Sequence, residues 1–142
     1  MNLNDLIQVV HWGEAEPALR TIRTAVFIHE QHVPEAMEWD EFDAISVHLL
    51  AHDTAGQPVG TARLLPDGHI GRMAVLKEWR GQGIGSAMLR KLLQELTQRH
   101  QRKALLNAQT SAVPFYEKFG FRVLGEEFME AGIPHVKMTL SL

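Results

Sequence analysis

Three glycines in six residues, Arg80-Gly81-Gln82-Gly83-Ile84-Gly85, separate the apolar segment Met73-Ala74-Val75 from a helical pattern that runs from Ile84 to about Arg99. A strand that becomes a helix through such a loop brings bare backbone close to whatever lies beside it. The first N–H groups of a helix lack intrahelical partners and carry partial positive charge, so the loop suits an anion such as a phosphate or pyrophosphate. Two familiar glycine loops do not fit. A P-loop has a lysine before its Ser or Thr, whereas Gly85 is followed directly by Ser86. A dinucleotide fingerprint follows the first strand of a βαβ unit, with an acid about 20 residues on, where this chain has Gln101 to Lys103.

The pattern around the loop predicts a sheet. Leu6 to His11 reads as a first strand, and Pro17 sits near the start of a helix with Leu19, Ile22 and Val26 on one face. That helix fades near Glu30. A loop follows from Gln31 to Asp43, broken by Pro34 and carrying Glu35, Glu38, Asp40, Glu41 and Asp43. Strands over Ile45–His52, Val59–Leu65 and Ile70–Val75 are joined by turns at Asp53–Gly56 and Pro66–Gly68, which makes an antiparallel meander. The long helix after the glycines buries Ile84, Met88, Leu92 and Leu96. A strand at Ala104–Asn107, a short helix at Pro114–Phe119 stopped by Gly120, and strands at Phe121–Leu124 and Val136–Leu140 complete the order. The predicted fold class is α/β (α+β), one domain over residues 1–142 with a mixed sheet of about seven strands and helices packed on it.

Composition removes several functions. With no cysteine among 142 residues, disulfides, zinc-thiolate sites and cysteine-acyl intermediates are excluded. No apolar run reaches the roughly 20 residues of a membrane span, and no signal-peptide pattern opens the chain, so a cytoplasmic protein is expected. Residues 1–71 hold 3 Lys/Arg against 11 Asp/Glu, and residues 72–122 hold 10 against 3. The basic segment carries the glycine loop and suits a phosphorylated ligand; the acidic half suits a cationic one and argues against nucleic acid. Eight histidines invite a metal, but His48 and His52 lie roughly 13 Å apart along a strand, and His29 and His32 have no evident third ligand. No metal is expected. No Gly-x-Ser-x-Gly elbow supports a serine hydrolase.

The run Arg80-x-x-Gly83-x-Gly85 behind Met73-Ala74-Val75 resembles the acetyl-CoA-binding motif of the GNAT superfamily of N-acetyltransferases. Phe115-Tyr116-Glu117-Lys118-Phe119-Gly120-Phe121 resembles that superfamily's next motif. Further stretches are similar to the ElaA-like subgroup: Arg23-x-x-Val26-Phe27-x-x-Glu30-Gln31 with Pro34, then Asp40, Asp43 and His48, and later Gly132-Ile133-Pro134-His135. The resemblance implies a mostly antiparallel sheet, helices on both faces, and a central pair, the strand ending at Val75 and the strand starting at Ala104, that splays apart to admit a thioester. It implies that backbone N–H groups from Gln82 through Gly83, Ile84 and Gly85 to Ser86 hold the CoA pyrophosphate, helped by Arg80 and Lys118. Met73, Ala74 and Val75 would face the pantetheine arm, and Asn107 would hydrogen-bond the cofactor.

Tyr116, the only tyrosine, would then place its hydroxyl near the leaving sulfur. From reference values near 10 and 8.5, full proton transfer to the thiolate is uphill by roughly 2 kcal/mol. Neutralising a lysine-like amine at pH 7 costs about 4.6 kcal/mol, so a general base is needed. Many members carry a glutamate near the end of the central strand; here Gly71-Arg72-Met73-Ala74 has no acid. Glu30, Asp43, His48 and His135 are the candidates for the base, directly or through water; Glu30 and His135 are assigned to catalysis and Asp43 and His48 to substrate contact. The expected activity is acetyl transfer from acetyl-CoA to a small-molecule or peptide amine in a ternary complex, by a monomer or homodimer. The alternative is a protein that binds or senses acyl-CoA with little catalysis.

Overall fold

A strand buried on both faces and tight turns on either side of it make the centre of the sheet. The computed structural model describes residues 2–142. Strand β1 (Ile7–Val10) leads into helix α1 (Trp12–Arg23), which continues as a π-helical segment over Thr24–Glu30. A one-turn helix α2 (Glu35–Glu38) precedes the meander β2 (Val47–His52), β3 (Pro58–Leu64) and β4 (His69–Val75). Helix α3 (Ile84–Gln98), β5 (Lys103–Gln109), the short α4 (Val113–Glu117), β6 (Arg122–Glu130) and β7 (Ile133–Ser141) follow. The sheet order is β1-β2-β3-β4-β5-β7-β6, antiparallel except between β4 and β5.

Strand β3 shows how the two faces divide. Ala62 and Leu64 join Leu49 and the α3 residues Ile84, Met88, Leu92 and Leu96 in the larger apolar cluster. Thr61 and Arg63 alternate with them and are buried towards the α1 side. There Ile22, Val26 and Phe27 pack on Ala74. Each fully buried leucine or isoleucine contributes about 1.5–3 kcal/mol. The spacing predicted for both helices is the spacing observed.

The structure corrects four details. Helix α1 begins at Trp12, so Pro17 lies inside it and the helix lacks one interior N–H donor. The segment predicted as a plain loop holds α2 and a 3-10 turn at Asp43–Ile45. Strand β6 runs on to Glu130, well past Leu124, because a register shift between Leu124 and Phe128 disguises its alternation. Strand β7 starts at Ile133, after a two-residue turn in which Ala131 and Gly132 both have positive φ, as a type I′ hairpin turn requires.

Strands β4 and β5 share only two pairs, His69 with Leu105 and Ile70 with Leu106. Beyond these they part. Across β3 and β4, Thr61 faces Ala74 and Arg63 faces Gly71, so Ala62 alone faces both Arg72 and Met73. This bulge turns β4 away from β5. Arg72 sits in it at φ +48, a left-handed conformation that costs a non-glycine residue about 1–3 kcal/mol.

Ion pairs oppose that strain. Arg72 Nε lies 3.0 Å from Glu38 Oε2, and its Nη2 donates to Glu38 O at 3.0 Å and to Asp40 Oδ2 at 3.3 Å. Arg23, wholly buried, donates to Glu38 Oε2 at 2.7 Å, to Glu38 O at 2.7 Å and to Asp43 Oδ1 at 2.6 Å. Arg63 Nη1 donates to Asp40 Oδ1 at 2.8 Å and Asp43 Oδ1 at 2.9 Å. Three guanidinium groups thus balance three carboxylates, so that of the acidic segment expected to suit a cationic ligand, Glu38, Asp40 and Asp43 are engaged internally while Glu35 and Glu41 stay exposed.

Burial pushes the Asp43 carboxyl up, but Arg23, with the Asp40 N–H and Arg63, outweighs burial and holds it below the usual range. The folded form of Asp43 is therefore stabilised above the ordinary carboxylate pKa, and that contribution disappears as pH falls through the lowered value. Arg23→Met removes the partner while both acids stay buried. A loss of about 3–5 kcal/mol is expected in urea unfolding at pH 7. It should shrink as pH approaches about 4, where the stranded carboxyls take up protons. A small loss, or one independent of pH, would show that the network carries little stability.

Candidate active site

The gap between β4 and β5 opens a cleft of about 610 Å³. Val75 and Arg80 line one end, and Gly81 to Ser86 of the glycine loop follow Arg80 outside the lining residues. Gly81 and Gly83 have φ of +78 and +88, so a side chain at either would strain the turn. Gly83 caps α3 without any side-chain hydrogen bond, and the first helical bond runs from the Ala87 N–H to Gly83 O. The N–H groups of Ile84, Gly85 and Ser86 therefore have no partner in the helix. An oxyanion fits this bare N-terminus, and Gln82, Gly83, Ile84, Gly85 and Ser86 form one continuous run there. Lys118 is exposed just past α4 and does not line the cleft.

Along the cleft, Met73, Ala74 and Val75 form one wall and Asn107 the other. Arg80 lines the same end, but its guanidinium is already engaged. Its Nη1 and Nη2 donate to the two Glu30 carboxylate oxygens at 2.7 and 2.6 Å, and its Nε to Val75 O at 2.9 Å. The Arg80 hydrogen bond holds the Glu30 carboxyl below its usual range. Glu30 is thus a weak proton acceptor, set outside the residues that line the cleft. Its sequence-based candidacy as a base gives way to a role in fastening Arg80.

Tyr116 stands on α4 in the cleft wall, nearly buried, with its hydroxyl donating to Met73 Sδ at 3.5 Å. Burial pushes its phenol up to about 12. Proton transfer to a thiolate of reference pKa about 8.5 is then uphill by about 5 kcal/mol, more than the reference values imply. The geometry leaves Tyr116 as a neutral hydrogen-bond donor.

The other end of the cleft is built by the segment after α1 and by the β6–β7 hairpin. Gln109 Nε2 donates to Gln31 Oε1 at 2.7 Å, joining the end of the π-helical segment to β5. His135 lies between Gln109 on β5 and Phe128 on β6, its ring stacked on Phe128 at 5.9 Å. Its Nδ1 is 2.7 Å from Ile133 O. A carbonyl only accepts, so Nδ1 carries a proton, and Nε2 is the ring nitrogen left to take up or release one. Nε2 lies 3.5 Å from Glu130 Oε2, and both residues line the cleft. Glu130 was missed in sequence because β6 was read as ending at Leu124. The signal was present as the turn Ala131-Gly132, which sets residues 130 and 133 opposite each other.

Asp43 and His48, expected to contact substrate, do not line the cleft. Asp43 is fixed by Arg23 and Arg63, as described above. His48 is fully buried beside Trp12, with Nε2 2.8 Å from Asp43 O. Burial lowers its pKa and favours the neutral ring. Among the described residues no group of three or more His, Cys, Asp or Glu is placed to hold a metal, and no helix is long and apolar enough to cross a membrane.

Comparison with known proteins agrees with this geometry. Residues 13–142 match the family model of the acetyltransferase (GNAT) domain. An N-acetyltransferase of Bacillus subtilis, YjcF, is 42% identical over 121 residues, covering 82% of this chain and 86% of that protein. ElaA of Escherichia coli is 33% identical over 130 residues, covering 86% of this chain and 84% of its own. The crystal structure of E. coli ElaA superposes with a TM-score of 0.83 at 30% identity, over 94% of this chain and 97% of that one. An acyl-CoA N-acyltransferase from Pseudomonas aeruginosa gives the same TM-score, identity and coverage. The splayed strand pair, the glycine-loop helix and these relatives together show that the chain belongs to the GNAT family of acetyltransferases, close to ElaA.

Proposed function

We propose that residues 1–142 form one N-acetyltransferase domain that moves an acetyl group from acetyl-CoA to a primary amine by direct attack. The observation that carries this reading is the cleft through the bulged sheet, with the glycine-loop helix N-terminus following Arg80 beyond one end and the His135–Glu130 pair in the lining of the other. The N–H groups from Gln82 to Ser86 would hold the pyrophosphate, preorganised at little entropic cost. Backbone groups of Met73 to Val75 would align the pantetheine arm as an added strand does, with Asn107 opposite. The thioester would then sit in the β4–β5 gap beside Tyr116.

The acceptor arrives as an ammonium and must lose two protons overall. One leaves through His135 Nε2, and the resulting imidazolium is stabilised by Glu130. The amine nitrogen forms the new C–N bond as the C–S bond breaks, and the second proton ends on the CoA sulfur. Tyr116 donates a hydrogen bond to the charge developing on that sulfur. Arg80 can supplement the pyrophosphate contact only by loosening its bonds to Glu30 and Val75 O.

Free-thiol release from acetyl-CoA, measured over a panel of amines, tests the reading. Amine-dependent release supports it; saturable CoA binding without release would leave an acyl-CoA-binding or sensing protein. His135→Ala should lower kcat by about 10²–10⁴-fold while calorimetric CoA affinity is unchanged, and an unaltered kcat would remove His135 as the base. Tyr116→Phe should reduce kcat by about tenfold or more, equivalent to roughly 1.4 kcal/mol or above, again with affinity kept. Gly83→Asp puts a side chain at φ +88 and a negative charge on the proposed pyrophosphate site. CoA binding should vanish while the far-ultraviolet circular dichroism stays native; retained affinity would contradict the assignment.

A further inference from the structure

The acceptor end of the cleft also narrows the kind of amine. Resting on the acetyl-transfer reading above, we infer that the acceptor is a primary monoamine with an apolar body, and not a polyamine or an amino acid. Besides Glu130, four charged side chains line that end, Glu38, Asp40, Arg63 and Arg72. All four are bound to one another or to Arg23 and Asp43, at 2.7–3.3 Å in the contacts already given. A second ammonium on the acceptor would need Asp40, which Arg63 and Arg72 already hold at 2.8 and 3.3 Å. A carboxylate on the acceptor would have to compete with Asp40 and Glu38 for those same guanidinium groups. Separating such pairs inside the protein leaves an uncompensated charge, and that penalty rejects both kinds of ligand.

One carboxylate in the cleft lining has no guanidinium partner among the described residues. It is Glu130, 52% exposed and beside His135 Nε2. The cleft therefore has room for one ammonium, placed where the base can receive its proton. The remaining acceptor wall offers apolar surface. Met37 and Phe42 line the cleft and are 52% and 42% exposed. They come from the same segment as Glu38, Asp40 and Asp43, whose charges turn inward, so the segment presents hydrocarbon to the cleft. Val33, Leu65 and Ile70 extend that surface inward. An exposed Met or Phe alone is unremarkable, but apolar side chains converging on a cleft with a single polar anchor are the usual form of a small-molecule site.

Three amines of one length separate the cases: hexylamine, 1,6-diaminohexane and 6-aminohexanoate. Their reacting amino groups have pKa values close to that of lysine, about 10.4, so differences report the far end of the molecule. kcat/KM from thiol release should favour hexylamine by about tenfold or more over each of the others, and Kd for CoA-loaded protein by calorimetry should follow the same order. Phe42→Ser should bring the three values closer together. Equal values, or a preference for the diamine or the amino acid, would overturn the inference. If no amine releases thiol, the acetyl-transfer reading fails, while the order of the three Kd values still decides which end-group the cleft accepts.

Discussion

The guanidinium–carboxylate network around Glu38 is the constraint on which the cleft depends. Arg72 occupies a left-handed conformation inside the β4 bulge, and its side chain is tied to Glu38 and Asp40. Those acids are tied in turn to Arg23 on α1 and to Arg63 on β3. The network joins a helix, a loop and two strands through one set of balanced charges. It keeps open a bulge that backbone strain alone would discourage, and the bulge is what parts β4 from β5. Burial raises the Glu38 carboxyl against the pull of Arg72 and Arg23, so this arrangement is held together at a desolvation cost. A network of this kind specifies one geometry more than it adds net stability.

The two ends of the cleft then differ in chemistry. At the glycine loop, the groups proposed to hold an anion are backbone N–H groups without helical partners, while Arg80 is held by Glu30 and Val75 O. At the other end, formal charge is abundant but neutralised, and one imidazole–carboxylate pair is left facing the cleft. Tyr116 lies between them in a setting too apolar to give up its proton. The proposed reaction therefore divides into anion binding by backbone, hydrogen bonding to sulfur by a neutral phenol, and proton removal by His135.

Much of the fold was legible because local signals agreed. The apolar spacing of Ile84, Met88, Leu92 and Leu96 marked α3, and the turns at Asp53–Gly56 and Pro66–Gly68 marked the meander. The glycine loop was legible for the same reason, since φ above zero at Gly81 and Gly83 is written in the residue type. The acceptor end was not. Charge counting placed five acids in a loop but could not show that Arg23, Arg63 and Arg72 converge on three of them from distant positions. Asp43 looked available and is spent. Glu130 fell between two predicted strands and is brought beside His135 by a hairpin whose bulge hid the strand pattern. Pairings across 15 to 34 residues, as between Arg23 and Glu38 or Arg72 and Glu38, leave no local periodicity to read.

The most direct measurement is a crystal structure of the protein with acetyl-CoA bound. The account predicts the pyrophosphate on the backbone N–H groups of Gln82 to Ser86, the pantetheine arm along Met73 to Val75, and the sulfur within hydrogen-bonding reach of the Tyr116 hydroxyl. It predicts an acetyl group that faces His135 across the open gap. A cofactor lying outside the β4–β5 gap, or one whose thioester points away from Tyr116 and His135, would contradict it.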